Sequence, residues 1–368
     1  MVYPFIFFSL IISASIQITY YLNFAVFAFS REKAKKRKEL PISVIVYVKN
    51  NAEDLLNFLP SIIQQNYSNF EIVLINNASH DQTLEVMEKF QKKHHTIKIV
   101  NVENNEAFWG SKKYALTLAI KAATNEHLLF TDINGSKPLS KNWIAKITSN
   151  FSNEKSIILG YNKYIPEKYS FVNLLARFDN LLTSIQYFSY AKFGIPCMGD
   201  AKNIAYTKTN FFKTKGFINH IKIHFGEDSL FIRDAANRSN TAICSSMNSF
   251  INSNGPKTLK EWYLKKQIQF YVSKNYKLSH KFLLYLFTIS KIVFISTVSF
   301  LIFYEDWKVI GSILLTYFLV QYIIVGASAR RLRETKVLFF LPVLEIILIL
   351  FQFSIFITNR FLKPINWK

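Results

Sequence analysis

The sequence is short of cysteine and of charged side chains. Its 368 residues include 2 cysteines, Cys197 and Cys244, and 19% of the residues are charged while 50% are hydrophobic. Two cysteines cannot make a disulfide framework in a chain of this length, so we expect both to be reduced and structural. The hydrophobic fraction excludes intrinsic disorder, and the 35 phenylalanines indicate contact with lipid.

Several catalytic and nucleotide-binding motifs are also missing. The chain contains no G-x-G-x-x-G and no G-x-x-x-x-G-K-[ST] sequence, so neither a dinucleotide fingerprint nor a phosphate-binding P-loop is supported. The sequence shows no recognisable Ser-His-Asp or Cys-His arrangement for nucleophilic catalysis. His220 and His224 have the spacing of metal ligands on a helical turn, but an ordinary surface or acceptor-site role is the simpler interpretation.

The charge that is present is mostly positive, with 45 basic against 24 acidic residues. Such a balance suits nucleic acid, anionic lipid or a phosphorylated substrate. Six of the basic residues follow an apolar run within eight positions, without interleaved aromatic residues: Arg31, Lys33, Lys35, Lys36, Arg37 and Lys38. We therefore predict membrane lipids as partners of this cluster and no nucleic acid.

Four apolar stretches have the length needed to cross a bilayer. Residues 1–30 contain no charged side chain, and the predicted span is Val2–Phe29. A cleaved signal peptide is the alternative, but it needs basic residues ahead of a short apolar stretch. Three further stretches lie near the C-terminus: Phe282–Tyr304, Val309–Ala329 and Val337–Ile357.

Basic residues beside a span are retained on the cytoplasmic side, so the region after residue 31 is predicted to be cytoplasmic in a multi-pass protein of the inner (plasma) membrane. Four complete spans would place the basic tail outside. The alternative is that one C-terminal segment is interfacial or re-entrant and does not cross the bilayer. Pro342 and Glu345 make the last segment the weakest spanning candidate. Lys291 and Glu345 are either functional groups within the membrane, snorkelling side chains or a buried pair.

Between the membrane segments the composition becomes that of a soluble protein. We predict an anchor at 1–30, a basic linker at 31–40, a globular domain at 41–280 and a membrane region at 281–368. Within the domain, predicted strands alternate with helices: strands 42–48, 70–75, 97–102 and 127–131, helices 52–65, 83–93 and 112–123. This alternation predicts an α/β fold with a mostly parallel, Rossmann-like sheet.

Polar residues follow three of these strands, where parallel α/β sheets bind their ligands. They are Lys49-Asn50-Asn51, Asn76 to Asp81, and Asp132-Ile133-Asn134. Each group taken alone is typical of turns and helix caps. Three such groups at one edge predict a site that hydrogen-bonds a base or ribose and holds a cation near Asp132.

Six segments carry a resemblance to a known family: ISVIVYVKNNAEDL at 42–55, NFEIVLINNASHDQTLEVME at 69–88, FWGSKKYALTLAIKAATNEHLLFTDINGSKPLSKNWI at 108–144, PCMGDAKNIAYTK at 196–208, GEDSLFIRDAA at 226–236 and TLKEWYLKKQIQFYVSKNYK at 258–277. Their order resembles the family 2 glycosyltransferases with the GT-A fold, specifically a membrane-anchored group common in Bacteroidetes-type bacteria.

The resemblance implies a nucleotide-sugar donor held by Asn50, Asn76, Asn77, Lys112 and Asp132. Its D-x-D loop, which binds Mg2+ or Mn2+ against the diphosphate, corresponds to Asp132-Ile133-Asn134. Such cations prefer oxygen ligands, and two carboxylates normally offset the charge. Because Asn134 supplies a neutral amide, we expect a lower cation affinity.

The family's catalytic base falls on Glu227-Asp228. In an inverting transfer one carboxylate takes a proton from the acceptor hydroxyl, and Asp228 is the candidate. Helix capping is the simpler alternative, because an acidic pair ahead of an apolar helix suits its positive end.

A Q-x-x-R-W or Q-x-x-R-H motif of the family is largely lost, since Ile268-Gln269 occupies the place of the Arg and aromatic pair. On the acceptor or diphosphate side we assign Trp262, Lys265 and Lys266, although a lysine does not reproduce the bidentate fork of an arginine.

These features predict a membrane-anchored glycosyltransferase of surface-polysaccharide synthesis. It would transfer a sugar, with inversion, from a UDP-sugar to a lipid-linked or membrane-proximal glycan acceptor. Too few spans are present for a polymer-export channel. The alternative is a catalytically weakened homologue that serves as a binding or assembly subunit.

Overall fold

The structure is a computed structural model and describes residues 2–31, 35–103, 112–133 and 135–361. The chain divides into two compact units. The sheet unit comprises residues 32–168 and 190–256, and the helical unit comprises residues 1–31, 169–189 and 257–368.

The described residues form ten strands, all of them in the sheet unit: β1 (Ile42–Val48), β2 (Phe70–Asn77), β3 (Ile97–Val102), β4 (His127–Asp132), β5 (Lys137–Pro138), β6 (Ile157–Leu159), β7 (Asn162–Tyr164), β8 (Ile204–Thr207), β9 (Thr241–Ile243) and β10 (Ile251–Ser253).

Twelve α-helices are seen in the same residues: α1 (Val2–Ala28), α2 (Ala52–Ile63), α3 (Thr83–Lys93), α4 (Lys112–Ala122), α5 (Trp143–Thr148), α6 (Phe171–Phe193), α7 (Lys208–Lys213), α8 (Ser229–Ala235), α9 (Leu259–Ser273), α10 (Leu278–Leu301), α11 (Trp307–Leu332) and α12 (Leu341–Phe361). Short 3₁₀ helices lie at Ile218–His220, Met247–Ser249 and Thr335–Phe340.

Seven strands form one sheet in the order β3-β2-β1-β4-β8-β6-β9. Strands β3, β2, β1 and β4 run parallel to one another, and β9 runs parallel to β6. Strand β8 is antiparallel to both β4 and β6. A smaller sheet has the order β5-β10-β7. The predicted α/β fold with a mostly parallel sheet is confirmed.

The core of the sheet unit explains why the parallel half forms. Strand β1 is a run of β-branched residues covered on both faces, typical of a parallel sheet, and Ile42, Val44 and Val46 are fully buried. Helix α2 presents Leu55, Leu59 and Ile62 to this core at helical spacing. Acidic residues in its first turn favour the positive end of the helix.

In the helical unit, four stretches are long and apolar enough to cross a membrane: Pro4–Ala28, Leu278–Leu301, Trp307–Leu332 and Thr335–Asn359. The last is the most apolar of the four, and the expectation that Pro342 and Glu345 make it the weakest spanning candidate stays a prediction. The sides of the membrane on which the loops lie stay predictions.

Glu345 is tolerated in this apolar helix because polar groups from three other helices meet its carboxylate. Lys291 on α10 forms a buried ion pair with it at 2.5 Å. The Tyr317 hydroxyl donates to Glu345 Oε1 at 2.9 Å, and Gln321 Nε2 donates to Oε2 at 2.8 Å, both from α11. The Tyr21 hydroxyl on α1 donates to Oε1 at 3.2 Å. Of the alternatives for Lys291 and Glu345, the structure therefore has the buried pair.

The helical unit also contains α9 and residues 171–189 of α6, which the sequence assigned to the domain at 41–280. Arg177 on α6 donates through Nε to the buried carboxylate of Glu334 at 2.9 Å. Lys266 on α9 pairs with Asp179 on α6 at 2.8 Å. These ion pairs tie both helices into the helical unit, while the functional domain bounds stay a prediction.

Candidate active site

The loops after β1 and β2 are bonded to each other. Asn50 has a φ of 51°, a conformation that asparagine adopts more readily than most residues. Its side-chain oxygen accepts the amide hydrogen of His80 at 2.8 Å, and its own amide donates to the Ser79 hydroxyl at 3.0 Å. Asn50 therefore shapes this edge of the sheet, and its predicted contact with the base stays a prediction.

Asn76 and Asn77 are both buried at the end of β2. Asn76 Nδ2 donates to Asn101 Oδ1 at 2.7 Å, and Asn76 Oδ1 accepts the Ser79 amide hydrogen at 3.3 Å. Asn77 Nδ2 donates to the Tyr47 hydroxyl at 2.8 Å. Both side chains thus support the loops of the site, and their predicted role in holding base and ribose is not tested by these contacts.

Tyr47 is a site residue that sequence reasoning missed. It lies on β1, in register with Asp132 on β4. The Lys112 ammonium lies 5.1 Å from the centre of its ring, within the range of a cation–π contact. Burial raises the pKa of the Tyr47 hydroxyl above its ordinary value. A tyrosine inside a β-branched strand resembles an ordinary core residue, so no sequence pattern marks Tyr47 as a site residue.

Lys112 and Glu227 form an ion pair with a separation of 2.7 Å between Nζ and Oε1. Burial by itself raises the pKa of Glu227, but the neighbouring Lys112 outweighs it and holds that pKa below the ordinary value. Burial likewise lowers the pKa of Lys112, and the nearby Glu227 and Asp132 more than reverse this. Both partners are therefore charged at neutral pH.

Asp228 has the opposite electrostatic setting. Burial and the adjacent charge of Glu227 raise its pKa to about 6. Its Oδ1 accepts the amide hydrogen of Ser229 at 2.6 Å, and its Oδ2 accepts that of Ala201 at 3.1 Å. The first bond caps α8, so the predicted capping role is present. Capping leaves lone pairs on both oxygens for another proton donor.

Lys112, Glu227 and Asp228 line one cavity of about 20 Å³ in the sheet unit, together with Tyr47, Leu116, Phe130, Thr131, Ala201, Ile204, Tyr206 and Phe217. The structure thus brings together three of the residues that the sequence assigned to catalysis and donor binding. They come from α4 and from the loop before α8, which are distant along the chain.

Lys113 is a second residue that the sequence analysis did not single out. Its side chain is fully buried, and Nζ donates to the carbonyl oxygens of His220, Ile223 and Phe225 at 2.8, 2.6 and 3.1 Å. It therefore fixes the segment that leads into Glu227. Burial lowers its pKa to about 8.

Asp132 lies at the end of β4 beside another lysine. Lys202 Nζ is 3.2 Å from Asp132 Oδ1, and the Ser136 hydroxyl donates to the same oxygen at 3.4 Å. Lys202 belongs to the matching segment 196–208, but a lysine in a loop usually indicates only an exposed surface. The sequence therefore offered no reason to select it.

Of the two predicted metal ligands, the structure describes Asp132. Asn134, the second predicted ligand, lies outside the described residues. Among the described residues no group of three or more His, Cys, Asp or Glu side chains is placed to hold a metal ion. The Asp132 carboxylate instead faces the ammonium of Lys202. The predicted Mg2+ or Mn2+ stays a prediction.

Trp262, Lys265 and Lys266 lie on α9 in the helical unit. Trp262 is buried, with its ring centre 5.1 Å from that of Phe351. Lys266 is paired with Asp179. Trp262 and Lys266 thus have structural contacts within their own unit, and the predicted acceptor or diphosphate role of all three residues stays a prediction.

Comparison with known proteins identifies the class to which the parallel half of the sheet and its strand-end loops belong. Residues 43–197 match the model of glycosyl transferase family 2. This part of the chain is a family 2 glycosyltransferase domain with the GT-A fold, as the resemblance implied. The narrower membrane-anchored bacterial group stays a prediction.

Two curated relatives show the extent of the similarity. The chain is 32% identical over 100 residues to a poly-beta-1,6-N-acetyl-D-glucosamine synthase of Staphylococcus epidermidis, which covers 27% of this chain and 23% of the relative. It is also 32% identical over 95 residues to the poly(ribitol-phosphate) beta-N-acetylglucosaminyltransferase TarS of Staphylococcus aureus. That match covers 25% of this chain and 16% of the relative. The match thus spans less than a quarter of either relative.

A solved structure extends the likeness to most of the chain. The mannosyltransferase PcManGT from Pyrobaculum calidifontis, determined in complex with GDP-Man and Mn2+, aligns with a TM-score of 0.59 over 90% of this chain and 99% of its own. Its sequence identity is 14%, so the likeness concerns the fold alone.

Proposed function

We propose that the protein transfers a sugar from a nucleotide-sugar to a lipid-linked or membrane-proximal glycan acceptor, with inversion at the anomeric carbon. The observation that carries this proposal is the pair Glu227 and Asp228, whose pKa values are pushed apart and which line one cavity with Lys112 from the segment that matches glycosyl transferase family 2. Adjacent carboxylates with separated pKa values are the arrangement from which acid and base roles are assigned.

Asp228 is the proposed general base. A pKa of about 6 leaves it mainly ionised at neutral pH, yet basic enough to accept a proton during transfer. The acceptor oxygen forms a bond to the anomeric carbon while the bond from that carbon to the diphosphate oxygen breaks. The acceptor's hydroxyl proton passes to Asp228, and the nucleoside diphosphate leaves with the electron pair of the broken bond.

Glu227 is proposed to act through its charge. Because Lys112 keeps it ionised, it stays negative beside Asp228 and raises the basicity of that carboxylate. Lys112 in turn lies at the cavity wall with Tyr47. A fixed ammonium at this position favours the approach of an anionic donor.

A UDP-sugar is the proposed donor, and UDP-N-acetylglucosamine is the first to test. The names of the two curated relatives both specify N-acetylglucosamine chemistry. The four apolar helices support an acceptor at the membrane, and a cytoplasmic sheet unit would meet the donor there.

A second function is favoured by two losses in the sequence. Asn134 stands where a second carboxylate is expected, and Ile268-Gln269 replaces the Arg and aromatic pair. A chain with these changes could bind the donor without transferring its sugar and serve as an assembly subunit.

The test is release of UDP by detergent-purified full chain from UDP-N-acetylglucosamine, UDP-glucose and UDP-galactose, with membrane lipid extract as acceptor. The experiment is run with and without Mn2+, and Asp228→Asn is the control. Donor-dependent release that requires the acceptor and is lost in the control supports transfer. UDP binding without release in any condition supports the assembly subunit.

A further inference from the structure

We propose that Lys202 supplies the positive charge that holds the donor's diphosphate beside Asp132, so that nucleotide binding does not require a divalent metal ion. This inference rests on the proposed function, since it assumes a nucleotide-sugar donor. It assigns to one side chain of this protein the electrostatic task that a metal ion performs in a D-x-D loop.

The first observation is the position of the Lys202 ammonium. It lies 3.2 Å from Asp132 Oδ1 and 3.3 Å from the Ser136 hydroxyl oxygen, where a cation bound to Asp132 would be found. A metal ion at this carboxylate would have to displace the ammonium. In the part of the chain that the structure describes, no group of three or more His, Cys, Asp or Glu side chains is placed to hold a metal ion, so a metal ion gains little charge compensation for that displacement.

The second observation is that the backbone on both sides of Lys202 is held in place. The Lys202 amide donates to Asp200 Oδ1 at 2.9 Å, and Asp200 Oδ2 accepts from Asn162 Nδ2 at 3.2 Å. The Ala201 amide donates to Asp228 Oδ2 at 3.1 Å. The loop that carries Lys202 is therefore bonded directly to the proposed base.

Asn203 anchors the other side of the loop from a fully buried position. Its Nδ2 donates to the carbonyl oxygens of Tyr161 and Ser249, both at 2.8 Å, and its Oδ1 accepts from Trp143 Nε1 at 3.0 Å. Gly160 leaves the space for it, because a Cβ there would lie 2.5 Å from Asn203 Cγ. A loop fixed in this way presents Lys202 at the same place without an ordering cost on binding.

The third observation is the difference between the two lysines at the site. Lys112 is committed to Glu227 at 2.7 Å. Lys202 lies at the longer distance of 3.2 Å from Asp132, and its ammonium, on a flexible four-carbon stem, can exchange that bond for one with a phosphate oxygen. A diphosphate carries more negative charge than a single carboxylate, which favours that exchange.

The experiment is isothermal titration of the detergent-solubilised full chain with UDP, and separately with GDP, first in EDTA and then in Mn2+. Wild type is compared with Lys202→Gln, with the charge-preserving Lys202→Arg, and with Lys155→Gln. Lys155 is a matched control, because it is a partly exposed lysine of the same unit, like Lys202, and its Nζ donates to the Arg238 carbonyl oxygen at 2.9 Å.

We expect wild type to bind one of the nucleotides in EDTA with an affinity similar to that in Mn2+. Lys202→Gln should weaken binding in EDTA by about 10-fold to 100-fold, the usual effect of losing a hydrogen bond to a charged group. Lys202→Arg should retain most of the affinity, and Lys155→Gln should match wild type. Asp132→Asn should tighten binding in EDTA, because it removes the carboxylate that competes with phosphate for Lys202.

Two results would count against the inference, and they are distinguishable. Binding that requires Mn2+ and is the same in wild type and Lys202→Gln would overturn it while leaving the proposed function intact. Absence of binding of both nucleotides in every condition would contradict the proposed function itself, and the inference with it.

Discussion

Lys112 Nζ lies 2.7 Å from Glu227 Oε1, and this ion pair joins the start of α4 to the residue preceding the proposed base. The pair has an electrostatic consequence for Asp228. Burial raises the pKa of that carboxylate, and the negative charge fixed next to it raises the pKa further, to about 6. The basicity of Asp228 therefore depends on a contact between two segments that are far apart in sequence.

Glu227→Gln tests this dependence. Removing the neighbouring negative charge is expected to lower the pKa of Asp228, so that the carboxylate ionises at a lower pH. In the profile of kcat/KM against pH, the acidic limb should move to lower pH. The matched control is Glu154→Gln, an exposed residue of the same unit. An acidic limb at the wild-type position in Glu227→Gln would show that Glu227 does not set the basicity of the catalytic group.

Asp228→Asn should separate catalysis from stability. If Asp228 is the base, turnover should fall by about 10²- to 10⁴-fold with little change in donor affinity. The side chain should still cap α8, because asparagine caps a helix nearly as well as aspartate.

The same variant should be more stable than wild type at neutral pH. A carboxyl group whose pKa is raised in the folded state, here to about 6 from an ordinary 3.8, favours folding when protonated and loses that contribution as pH rises through this window. Asparagine does not ionise, so the variant should be more stable by about 3 kcal/mol at pH 7.5, and most of this difference should be lost near pH 4. Thermal unfolding at both pH values checks it. If the stability difference between Asp228→Asn and wild type were the same at both pH values, the raised pKa of Asp228 would be contradicted.

Lys113→Met should unfold more easily because one buried and two partly buried carbonyl oxygens lose their donor. Leaving buried acceptors unpaired is expected to cost about 2–4 kcal/mol, or a fall of about 4–12 °C in the unfolding midpoint. Lys121→Met, an exposed change on the same helix, is the control. An unchanged midpoint in Lys113→Met would mean that the segment before Glu227 does not depend on these bonds.

The parallel half of the sheet was predictable because its signals are local. Each strand is an apolar run bounded by polar turns, and β1, β3 and α3 have the predicted bounds. Strands β5 to β10 have two to four residues each and no periodic pattern of their own. β8 exists because it pairs with β4 and β6, and no short window of sequence contains that information.

The site was predictable to the same degree. Asp132, Glu227 and Asp228 belong to recognisable motifs, so the sequence selected them. Tyr47 and Lys202 resemble a core residue and a surface residue when considered alone. Their importance comes from the partners Lys112 and Asp132, which only the folded chain brings near.

The predicted topology is open to a direct measurement. Reporter fusions after Lys38 and after Glu305 should report opposite sides of the membrane, because one follows the basic cluster and the other lies between two candidate spans. If both reporters were found on the same side, the predicted topology would be contradicted, and a cytoplasmic sheet unit would no longer be supported.

The buried pair of Lys291 and Glu345 leads to a prediction about the helical unit. Replacing one partner leaves an unpaired charge among apolar helices, whereas replacing both removes the need for compensation. We therefore expect Lys291→Met and Glu345→Leu each to lower the unfolding midpoint in detergent, and the double variant to be more stable than either. The Tyr317 and Gln321 bonds to Glu345 are lost in the double variant too, so it should not exceed wild type by much.

The measurement is a double-mutant cycle on the thermal midpoint, with UDP release as a second readout. If the pair only holds the helices together, UDP release per folded molecule should be equal in wild type and the double variant. A double variant that is stable but releases no UDP would contradict this structural interpretation. It would instead place Lys291 or Glu345 in the reaction. Ionisable side chains are energetically costly within a membrane segment, and those that occur there are often functional.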